Sequence, residues 1–308
     1  MFHGFVVIDK AGGMTSHDVV ARIRRLLGMK KVGHSGTLDP LATGVMVVGV
    51  GKVTRLLGFL KDLPKRYVAE VVFGVETNTL DADGEVTATH DMSGVTLVDI
   101  AQAAKSFVGE IQQIPPMVSA VRVSGKRLHE WAREGREVER PPRQVKVDSI
   151  DVGEGSLSIS EVTGPVARLD VRCGSGTYIR TLAADIGTAL GGGAHVATLR
   201  RLAVGSFVIE EACDVEQLAN RPPPLLPPAA GLRDYPSIAV DEKEANDVRH
   251  GRCISDRRVP GIDDASAGID DTSDIIDPFA VTDTEGNLLA VFTKSNGLLR
   301  PKVVLPSD

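Results

Sequence analysis

An aspartate in a glycine-rich loop is the residue of this chain best suited to covalent chemistry. Asp39 lies within residues 33–44, which lack any hydrophobic period and are predicted to form a loop. Pro40 disfavours a helical backbone at Asp39, so the chain is expected to run extended there. Such a carboxylate can form a turn, ligate a metal ion or act as a nucleophile. Only His34 offers a second metal ligand nearby, and a carboxylate without a metal suits attack on an electrophilic carbon, including the anomeric carbon of a sugar.

Three other side chains could complete such a site. Arg180 and Tyr178 lie where a predicted strand is followed by a predicted helix. An arginine keeps its charge at every working pH and can hold a carboxylate with two hydrogen bonds. Tyr67 offers a flat ring on which a nucleic-acid base could stack, although a tyrosine on a strand is more often part of the core.

Other glycine-rich segments do not complete known motifs. Residues 49–52 resemble a phosphate-binding loop, but Val53 stands where a serine or threonine would hold magnesium. Residues 174–176 lack the third glycine of the dinucleotide fingerprint, and residues 33–37 lack the last glycine of a nucleophile elbow. The three cysteines form no paired motif, which argues against a structural zinc site or a disulfide framework.

Hydrophobic patterning predicts the elements that must hold these residues. Strands are predicted at 4–9, 45–50, 67–73, 118–123, 166–173 and 196–204. Helices are predicted at 19–27, 97–107 and 178–190, the first with Ser16 as its N-cap and Gly28 as its stop. A turn is expected at 81–84 and an exposed excursion at 127–146. Because strands and helices do not alternate strictly, an α+β fold is favoured over a doubly wound sheet.

The C-terminal third differs from the rest in composition. Residues 221–230 are proline-rich and typical of a stiff linker. Beyond them, residues 236–308 contain a predicted helix at 241–250 and several short strands. Residues 263–277 contain six aspartates and no basic residue, a composition that predicts disorder.

Charge is distributed unevenly along the chain. The 308 residues carry a net charge of −6, yet residues 1–66 have 11 Lys and Arg against 4 Asp and Glu, whereas residues 210–308 have 10 against 19. The first part is therefore basic enough to approach phosphate. A hydrophobic fraction of 42% supports a buried core in one or two domains. No apolar run could span a bilayer or serve as a signal peptide, so we expect a cytosolic protein.

Motifs in the same order across residues 5–207 resemble those of the TruB family, the bacterial tRNA pseudouridine-55 synthases. The most specific is GHSGTLDPLATG at 33–44, which looks like the catalytic loop of that family. The other matching motifs are residues 8–10 with 14–16, residues 65–67, residues 113–116 with 119–121 and 125–127, and residues 176–182 with 193–195 and 199–201.

The resemblance implies a role for each candidate residue. Asp39 would be the nucleophile that isomerises uridine to pseudouridine, by attack at either C1′ of the ribose or C6 of the uracil. Arg180 would pair with Asp39 and orient it, and Lys10 would support the site. His34 would fill the space that the target base leaves when it is extruded from the folded RNA.

The remaining candidates would hold the uracil. Tyr67 would stack on the flipped base, and Tyr178 and Leu199 would line its pocket. The implied fold is a mixed, largely antiparallel central sheet with flanking helices, followed by a small β-rich PUA-like domain. The implied domains are residues 1–232, with an RNA-gripping insertion at about 124–146, and residues 235–308, with the acidic insertion 263–277.

The resemblance also implies partners. The substrate would be the T-arm of tRNA, bound by a cytoplasmic monomer without a guide RNA, a membrane, a metal or another cofactor. Two alternatives stay open: an RNA-binding protein without catalysis, and a synthase that acts on other RNAs. The presence of Asp39, Tyr67 and Arg180 together favours the enzyme.

Overall fold

A mixed sheet of ten strands forms the centre of the computed structural model, which describes residues 3–157, 164–219, 225–255, 278–295 and 298–306. The helices are α1 (Ser16–Leu27), α2 (Leu57–Asp62), α3 (Leu97–Lys105), α4 (Leu128–Arg133), α5 (Ile179–Ala189) and α6 (Glu242–Arg249). The first strands are β1 (Gly4–Lys10), β2 (Val32–His34), β3 (Thr43–Val50), β4 (Lys65–Phe73), β5 (Val75–Thr77), β6 (Val86–Thr89), β7 (Gly109–Gln113), β8 (Arg122–Val123), β9 (Lys126–Arg127) and β10 (Arg143–Glu154). The later strands are β11 (Val166–Cys173), β12 (Ala194–Val204), β13 (Phe207–Val208), β14 (Cys213–Asp214), β15 (Ser237–Ala239), β16 (Ile254–Ser255), β17 (Phe279–Thr282), β18 (Leu288–Ser295) and β19 (Leu298–Val304).

The order of strands in the large sheet is β14-β1-β3-β12-β4-β11-β10-β7, with β2 paired to β3 and β13 paired to β12. The pairs β1–β14 and β3–β12 are parallel, and the other pairs are antiparallel. The predicted α+β class and the mixed, largely antiparallel sheet are therefore confirmed. Helices α3 and α5 pack against one part of this sheet, and α1 packs against another.

The centre of the sheet brings distant parts of the chain together. Tyr67 of β4 lies between Val171 of β11 and Arg201 of β12. Arg201 is in turn opposite Gly44, the second residue of β3. A side chain at Gly44 would place its Cβ 2.1 Å from the Arg201 carbonyl oxygen, and the φ of Gly44 is +102°, so only glycine fits there. This contact fixes the end of the 33–44 loop beside β12.

Helix α1 begins one residue earlier than predicted. Thr15 is the N-cap and forms a capping box with Asp18. The predicted cap, Ser16, instead exchanges two hydrogen bonds with Leu38: its hydroxyl donates to the Leu38 carbonyl at 3.0 Å and accepts from the Leu38 N–H at 2.8 Å. The start of α1 therefore holds the residue just before Asp39. Gly28 ends the helix with a φ of +61°, as predicted.

Three segments differ from the prediction. Residues 33 and 34 of the predicted loop belong to β2, which pairs with the far end of β3, and residues 43 and 44 begin β3 and pair with β12. Only β8 is extended within the predicted strand 118–123, and it forms a short hairpin with β9. Residues 127–146 contain α4 and the start of β10, stabilised in part by Lys126 and Arg136 over the Trp131 ring.

The C-terminal residues form a second sheet, with the order β15-β17-β18-β19-β16. Helix α6, capped by Asp241, lies at the predicted position. Part of the predicted linker packs on the large sheet, since Leu226 and Phe5 exchange backbone hydrogen bonds of 2.9 and 2.7 Å. The acidic run 263–277 and residues 221–224 lie outside the described residues.

The second sheet shares a hydrophobic cluster with the first. Ala280, Leu288, Val291 and Leu305 of the C-terminal part pack in one cluster with Phe5, Val45 and Leu60, among others. Within the residues that the structure describes, no helix is long and apolar enough to cross a membrane.

Candidate active site

Asp39 and Arg180 form an ion pair in the wall of a cavity. The Nη2 of Arg180 lies 2.9 Å from Oδ2 of Asp39. The arginine side chain is only 4% exposed, whereas that of Asp39 is 36% exposed. The loop between β2 and β3 therefore presents a carboxylate that the buried Arg180 guanidinium orients and that remains accessible from the cavity.

The Arg180 guanidinium bridges two carboxylates rather than holding one of them with two hydrogen bonds. Its Nη1 lies 3.2 Å from Asp81, which is itself buried. The same nitrogens donate to the carbonyls of Thr79 and Val118, both at 2.8 Å. Both terminal nitrogens of the guanidinium are thus held by groups other than Asp39. The guanidinium therefore cannot easily follow a movement of Asp39.

Asp81 has no assigned function in the sequence analysis. It lies in the predicted turn at 81–84, where an aspartate is expected for conformational reasons alone. Its burial beside Arg180 comes from the isolated pairing of Asp81 with Val196 of β12. Nothing in the local pattern distinguishes it from Asp83, the exposed aspartate two residues later.

Gln113 fixes the start of helix α5. Tyr178, the N-cap, makes no capping bond with its own side chain. Instead the Tyr178 N–H donates to Oε1 of Gln113 at 3.0 Å, and Nε2 of Gln113 donates to the Tyr178 carbonyl at 3.3 Å. Gln113 belongs to one of the matching motifs, but its residue type alone did not indicate this contact. Arg180 therefore projects from a helix terminus clasped by the edge strand β7.

The surroundings of Asp39 act on its pKa in opposite directions. Burial raises the pKa of the Asp39 carboxyl, Arg180 and Lys10 oppose that rise, and the negative charge of Asp81 adds to it. The net direction is upward. The ionised form is maintained chiefly by the contact with Arg180.

Lys10 supports the loop by a backbone clamp. Its Nζ donates to the carbonyls of Ala11 at 2.9 Å, Met14 at 2.6 Å and Pro40 at 3.2 Å. Burial lowers the pKa of Lys10 to about 8, and the charge of Asp39 opposes that fall. The ammonium thus ties the residue after Asp39 to the segment that leads into α1.

The cavity in front of Asp39 has a volume of about 630 Å³. Of the residues predicted for the site, its lining includes Asp39, Tyr67, Tyr178, Arg180 and Leu199. Burial raises the pKa of both tyrosine phenols, so both rings stay neutral near pH 7.

Lys10 and His34 do not line this cavity. His34 ends β2, is half-buried, and its Nδ1 makes no hydrogen bond in the part of the chain that is described. The neighbouring Ser35 is part of the lining. Its hydroxyl and that of Ser119, another lining residue, are buried without a hydrogen-bond partner among the described residues.

These features suit nucleophilic chemistry at Asp39. No group of three His, Cys, Asp or Glu side chains suited to a metal ion occurs in the described residues. A carboxylate held by a buried guanidinium, facing a cavity with a tyrosine ring in its wall, is suited to attack an electrophilic carbon of a flat, ring-containing substrate.

Two family models cover most of the chain. Residues 24–179 match the TruB family pseudouridylate synthase N-terminal domain, and residues 180–221 match the tRNA pseudouridylate synthase B C-terminal domain. The chain belongs to the TruB family. Asp39, Tyr67 and Tyr178 lie in the first TruB segment, and Arg180 and Leu199 lie in the second.

Curated relatives with the corresponding name align with most of the chain. A protein named tRNA pseudouridine synthase B from Symbiobacterium thermophilum is 49% identical over 248 residues, covering 80% of this chain and 82% of the relative. One of the same name from Mycobacterium sp. (strain KMS) is 42% identical over 307 residues, covering 97% and 96%. This TruB-family chain therefore aligns with such relatives almost from end to end.

Solved structures show the same fold. A chain of a Cbf5–Nop10–Gar1 complex superposes with a TM-score of 0.72 at 27% identity, covering 98% of this chain and 85% of that one. A chain of an H/ACA ribonucleoprotein bound to a substrate RNA has a TM-score of 0.70 at 25% identity, covering 99% and 85%. The TruB-family chain thus shares the architecture of Cbf5 pseudouridine synthases.

Proposed function

We propose that this protein isomerises uridine 55 in the T-arm of tRNA to pseudouridine, with Asp39 as the nucleophile. The names of the curated relatives support tRNA as the substrate. The observation that carries the catalytic part is the 2.9 Å contact between Arg180 and Asp39 at the wall of the cavity. Arg180 orients the carboxylate and keeps it ionised against the desolvation that raises its pKa.

The reaction needs only rearrangement of bonds within one nucleotide. The C1′–N1 bond breaks, the base turns, and a C1′–C5 bond forms, while the base loses its C5 proton and gains one at N1. Asp39 attacks C1′ or C6 and is released at the end. The uridine must first leave its stack, at a cost of a few kcal/mol. Tyr67, Tyr178 and Leu199 form the surfaces that receive the flipped base.

The basic parts of the chain would hold the rest of the tRNA. We assign residues 1–232 to the catalytic domain and 235–308 to a PUA-like RNA-binding domain. The insertion 124–146 would grip the T-arm, since it carries seven Lys and Arg against four Glu. The enzyme would act in the cytoplasm, as a monomer and without a guide RNA.

The test uses purified protein and an unmodified tRNA transcript, with pseudouridine mapped along the RNA. The proposal predicts pseudouridine at position 55 with no other RNA or protein added, and none in a transcript with cytidine at that position. Tight tRNA binding without any pseudouridine would establish the non-catalytic alternative. If pseudouridine formed only at other positions, or only when a guide RNA was supplied, the assigned substrate would be wrong.

A further inference from the structure

Arg201 is a buried arginine with no acidic partner. Its side chain is 2% exposed and lines the catalytic cavity. Nε donates to the Val45 carbonyl at 2.7 Å, and the two terminal nitrogens reach the carbonyls of Thr37 and Gly36 at 3.4 and 3.3 Å. Within the described part of the chain, no ion pair joins Arg201 to a carboxylate.

Burial of the Arg201 guanidinium without an opposite charge is unfavourable for folding, which suggests that the positive charge has a function. An ion removed from water loses several kcal/mol of solvation, which a neighbouring opposite charge normally offsets. Arg180 is buried to a similar extent and has two carboxylates, Asp39 and Asp81. Arg201 is instead surrounded by three backbone carbonyls and the Tyr67 hydroxyl. These neutral groups satisfy its N–H donors but carry no charge that would balance the guanidinium.

The cavity as a whole has an excess of positive charge. Two carboxylates line it, those of Asp39 and Asp62, against six basic side chains: Lys61, Lys65, Arg122, Arg143, Arg180 and Arg201. The positive charge of Arg201 also acts on its neighbours: it contributes to the lowered pKa of Lys10, His34 and Lys65, and it opposes the rise in the pKa of Tyr67. The environment therefore favours an anion in the cavity.

The reaction produces such an anion. If Asp39 attacks C1′, the C1′–N1 bond breaks with its electron pair leaving on the base, and the detached uracil carries negative charge shared among N1, O2, C5 and O4. If Asp39 adds to C6 instead, the electron pair still leaves on N1, where the charge is shared with O2. When C5 then bonds to C1′ and its proton is lost, the base takes up a proton at N1 and becomes neutral again.

We propose that Arg201 supplies the positive charge that stabilises the detached uracil anion, acting through Tyr67 and the floor of the cavity as a positioning residue. The inference rests on the proposed function. Tyr67 of β4 and Arg201 of β12 are paired residues that both line the cavity, and Arg201 also donates to the loop carbonyls of Gly36 and Thr37. The effect belongs to bond breaking, because intact uridine carries no such charge.

The experiment compares Arg201→Met with Arg201→Lys and with Arg200→Met. Arg200, the neighbouring residue of β12, pairs with Asp9 at 3.0 and 2.7 Å and lies outside the catalytic cavity, so its variant is the matched control. With saturating tRNA in single turnover, Arg201→Met should be at least ~100-fold slower than wild type, because removal of one preorganised charge typically lowers the rate by this much. Arg201→Lys should recover part of the rate, and Arg200→Met should stay within about threefold of wild type.

A substrate with a more stable leaving anion separates charge stabilisation from loop positioning. The same enzymes are given tRNA with 5-fluorouridine at position 55. Nucleoside analysis then measures cleavage of the N-glycosidic bond. The electron-withdrawing fluorine stabilises the detached base, so the ratio of wild-type to Arg201→Met rate should shrink by about tenfold or more.

An unchanged ratio for the two substrates would overturn the inference and leave Arg201 as a loop clamp. So would an Arg201→Met rate equal to wild type. If Arg201→Met fails to fold, as judged by circular dichroism, the same ratio is read from Arg201→Lys, whose ammonium is shorter and should show a smaller change in the same direction. A wild-type enzyme without activity on either substrate would instead contradict the proposed function.

Discussion

At the scale of residues, the site is a short chain of alternating charges. Asp39, Arg180 and Asp81 follow one another at 2.9 and 3.2 Å, and the central arginine is also held by two carbonyls. The outer carboxylate, Asp39, is the one that faces the cavity. Asp81 therefore does not contact the cavity and acts on Asp39 through Arg180 and through its own negative charge.

Arg180→Lys tests the need for a planar, branched cation. One ammonium cannot reach Asp39, Asp81 and the carbonyls of Thr79 and Val118 with the geometry of the guanidinium. We expect single-turnover pseudouridine formation to fall by about 100-fold, or ~2.7 kcal/mol of barrier. tRNA affinity, measured by filter binding, should change by less than threefold because the side chain is 4% exposed. Equal losses in affinity and rate would point to an ordinary phosphate contact.

The acid side of the pH–rate profile should respond in opposite directions to two substitutions. Asp39 must be ionised to attack, so the rate falls as the pH drops through its pKa. Arg180 lowers that pKa, and Arg180→Met should therefore move the acid limb to higher pH. Asp81 raises it, and Asp81→Asn should move the limb to lower pH.

Single-turnover rates from about pH 4.5 to 8 measure this limb for all three proteins. Asp81→Asn should also be slower than wild type at its plateau, by about tenfold, because Arg180 loses one of its two ionic anchors. A shift of both limbs in the same direction would mean that the two side chains do not act on Asp39 in the way that the contacts indicate. Asp83→Asn, the exposed neighbour, is the control and should match wild type.

Some of these residues could be predicted and others could not. Asp39, Tyr67 and Arg180 lie in motifs whose residue types suit the chemistry. Asp81 resembled any turn aspartate, since its burial depends on a pairing with Val196, 115 positions away in the chain. Arg201 belongs to a matching motif, but its lack of a carboxylate partner is a property of the folded state alone.

At the scale of elements, the register of β4 against β12 and the termini of α1 and α5 determine the site. Strand residues alternate between faces, so a shift of one position would turn Tyr67 and Arg201 away from the cavity. Gly44 fixes the C-terminal end of the 33–44 loop by its close contact with Arg201, and Ser16 fixes Leu38, in the middle of the loop, by two hydrogen bonds. Gln113 has the same function for α5.

Gln113→Ala should weaken both stability and catalysis. The substitution leaves the half-buried N–H of Tyr178 without its partner, while the Tyr178 carbonyl keeps its bond from the Leu182 N–H. The loss of the N–H partner costs about 1 kcal/mol of unfolding free energy. Because Arg180 lies two residues farther along, the rate should also fall by about tenfold. Urea denaturation and single-turnover assays measure the two effects.

The exposed Gln102 of α3, which accepts from Lys105 and lies outside the cavity lining, provides the control. Gln102→Ala should change the unfolding free energy by less than about 0.5 kcal/mol and leave the rate unchanged. If Gln113→Ala were as mild as Gln102→Ala, the contact of Gln113 with α5 would have no energetic role.

The accuracy of the predicted elements follows from what stabilises them. Strand β11 and helices α1, α5 and α6 carry their own periodicity, and α1 and α6 also have side-chain N-caps. All four were predicted to within a few residues. Residues 118–123 have the composition of a strand, but only Arg122 and Val123 pair, with the turn residues that follow them. Helix α4 depends on contacts such as Lys126 and Arg136 with Trp131, which local patterning does not reveal.

At the scale of the whole molecule, charge is separated along the chain while the core is shared. The basic segment 1–66 contributes β1, α1 and the catalytic loop, and the acidic segment 210–308 contributes the second sheet. Arg22 of α1 pairs with Glu216, so one basic side chain of α1 is already engaged within the protein. The joint cluster around Phe5 and Val291 links the two sheets.

tRNA affinity should fall steeply with salt. If the basic residues of 1–66 and 124–146 contact phosphates, a plot of log K against log salt should have a slope of about −0.7 to −0.9 per contact. Lys30→Gln with Lys31→Gln should make the slope shallower by one to two such increments, whereas Lys105→Gln on α3, outside the proposed RNA-binding segments, should leave it unchanged. Affinity independent of salt between about 50 and 200 mM would contradict a phosphate-binding surface.

The most direct test of the account is the rate of pseudouridine formation by Asp39→Asn. Asparagine keeps the size and polarity of the side chain but removes the charge, which leaves a poor nucleophile. If Asp39 were only a turn former, asparagine would serve equally well. Folding and tRNA affinity should stay close to wild type, because the RNA is held by other surfaces.

The measurement is single-turnover conversion of uridine 55 by both proteins at saturating tRNA, with binding assayed in parallel. The account predicts a rate lower by several orders of magnitude for Asp39→Asn at unchanged affinity. A variant that keeps about a tenth of the wild-type rate, a loss of only ~1.4 kcal/mol, would show that Asp39 is not the nucleophile.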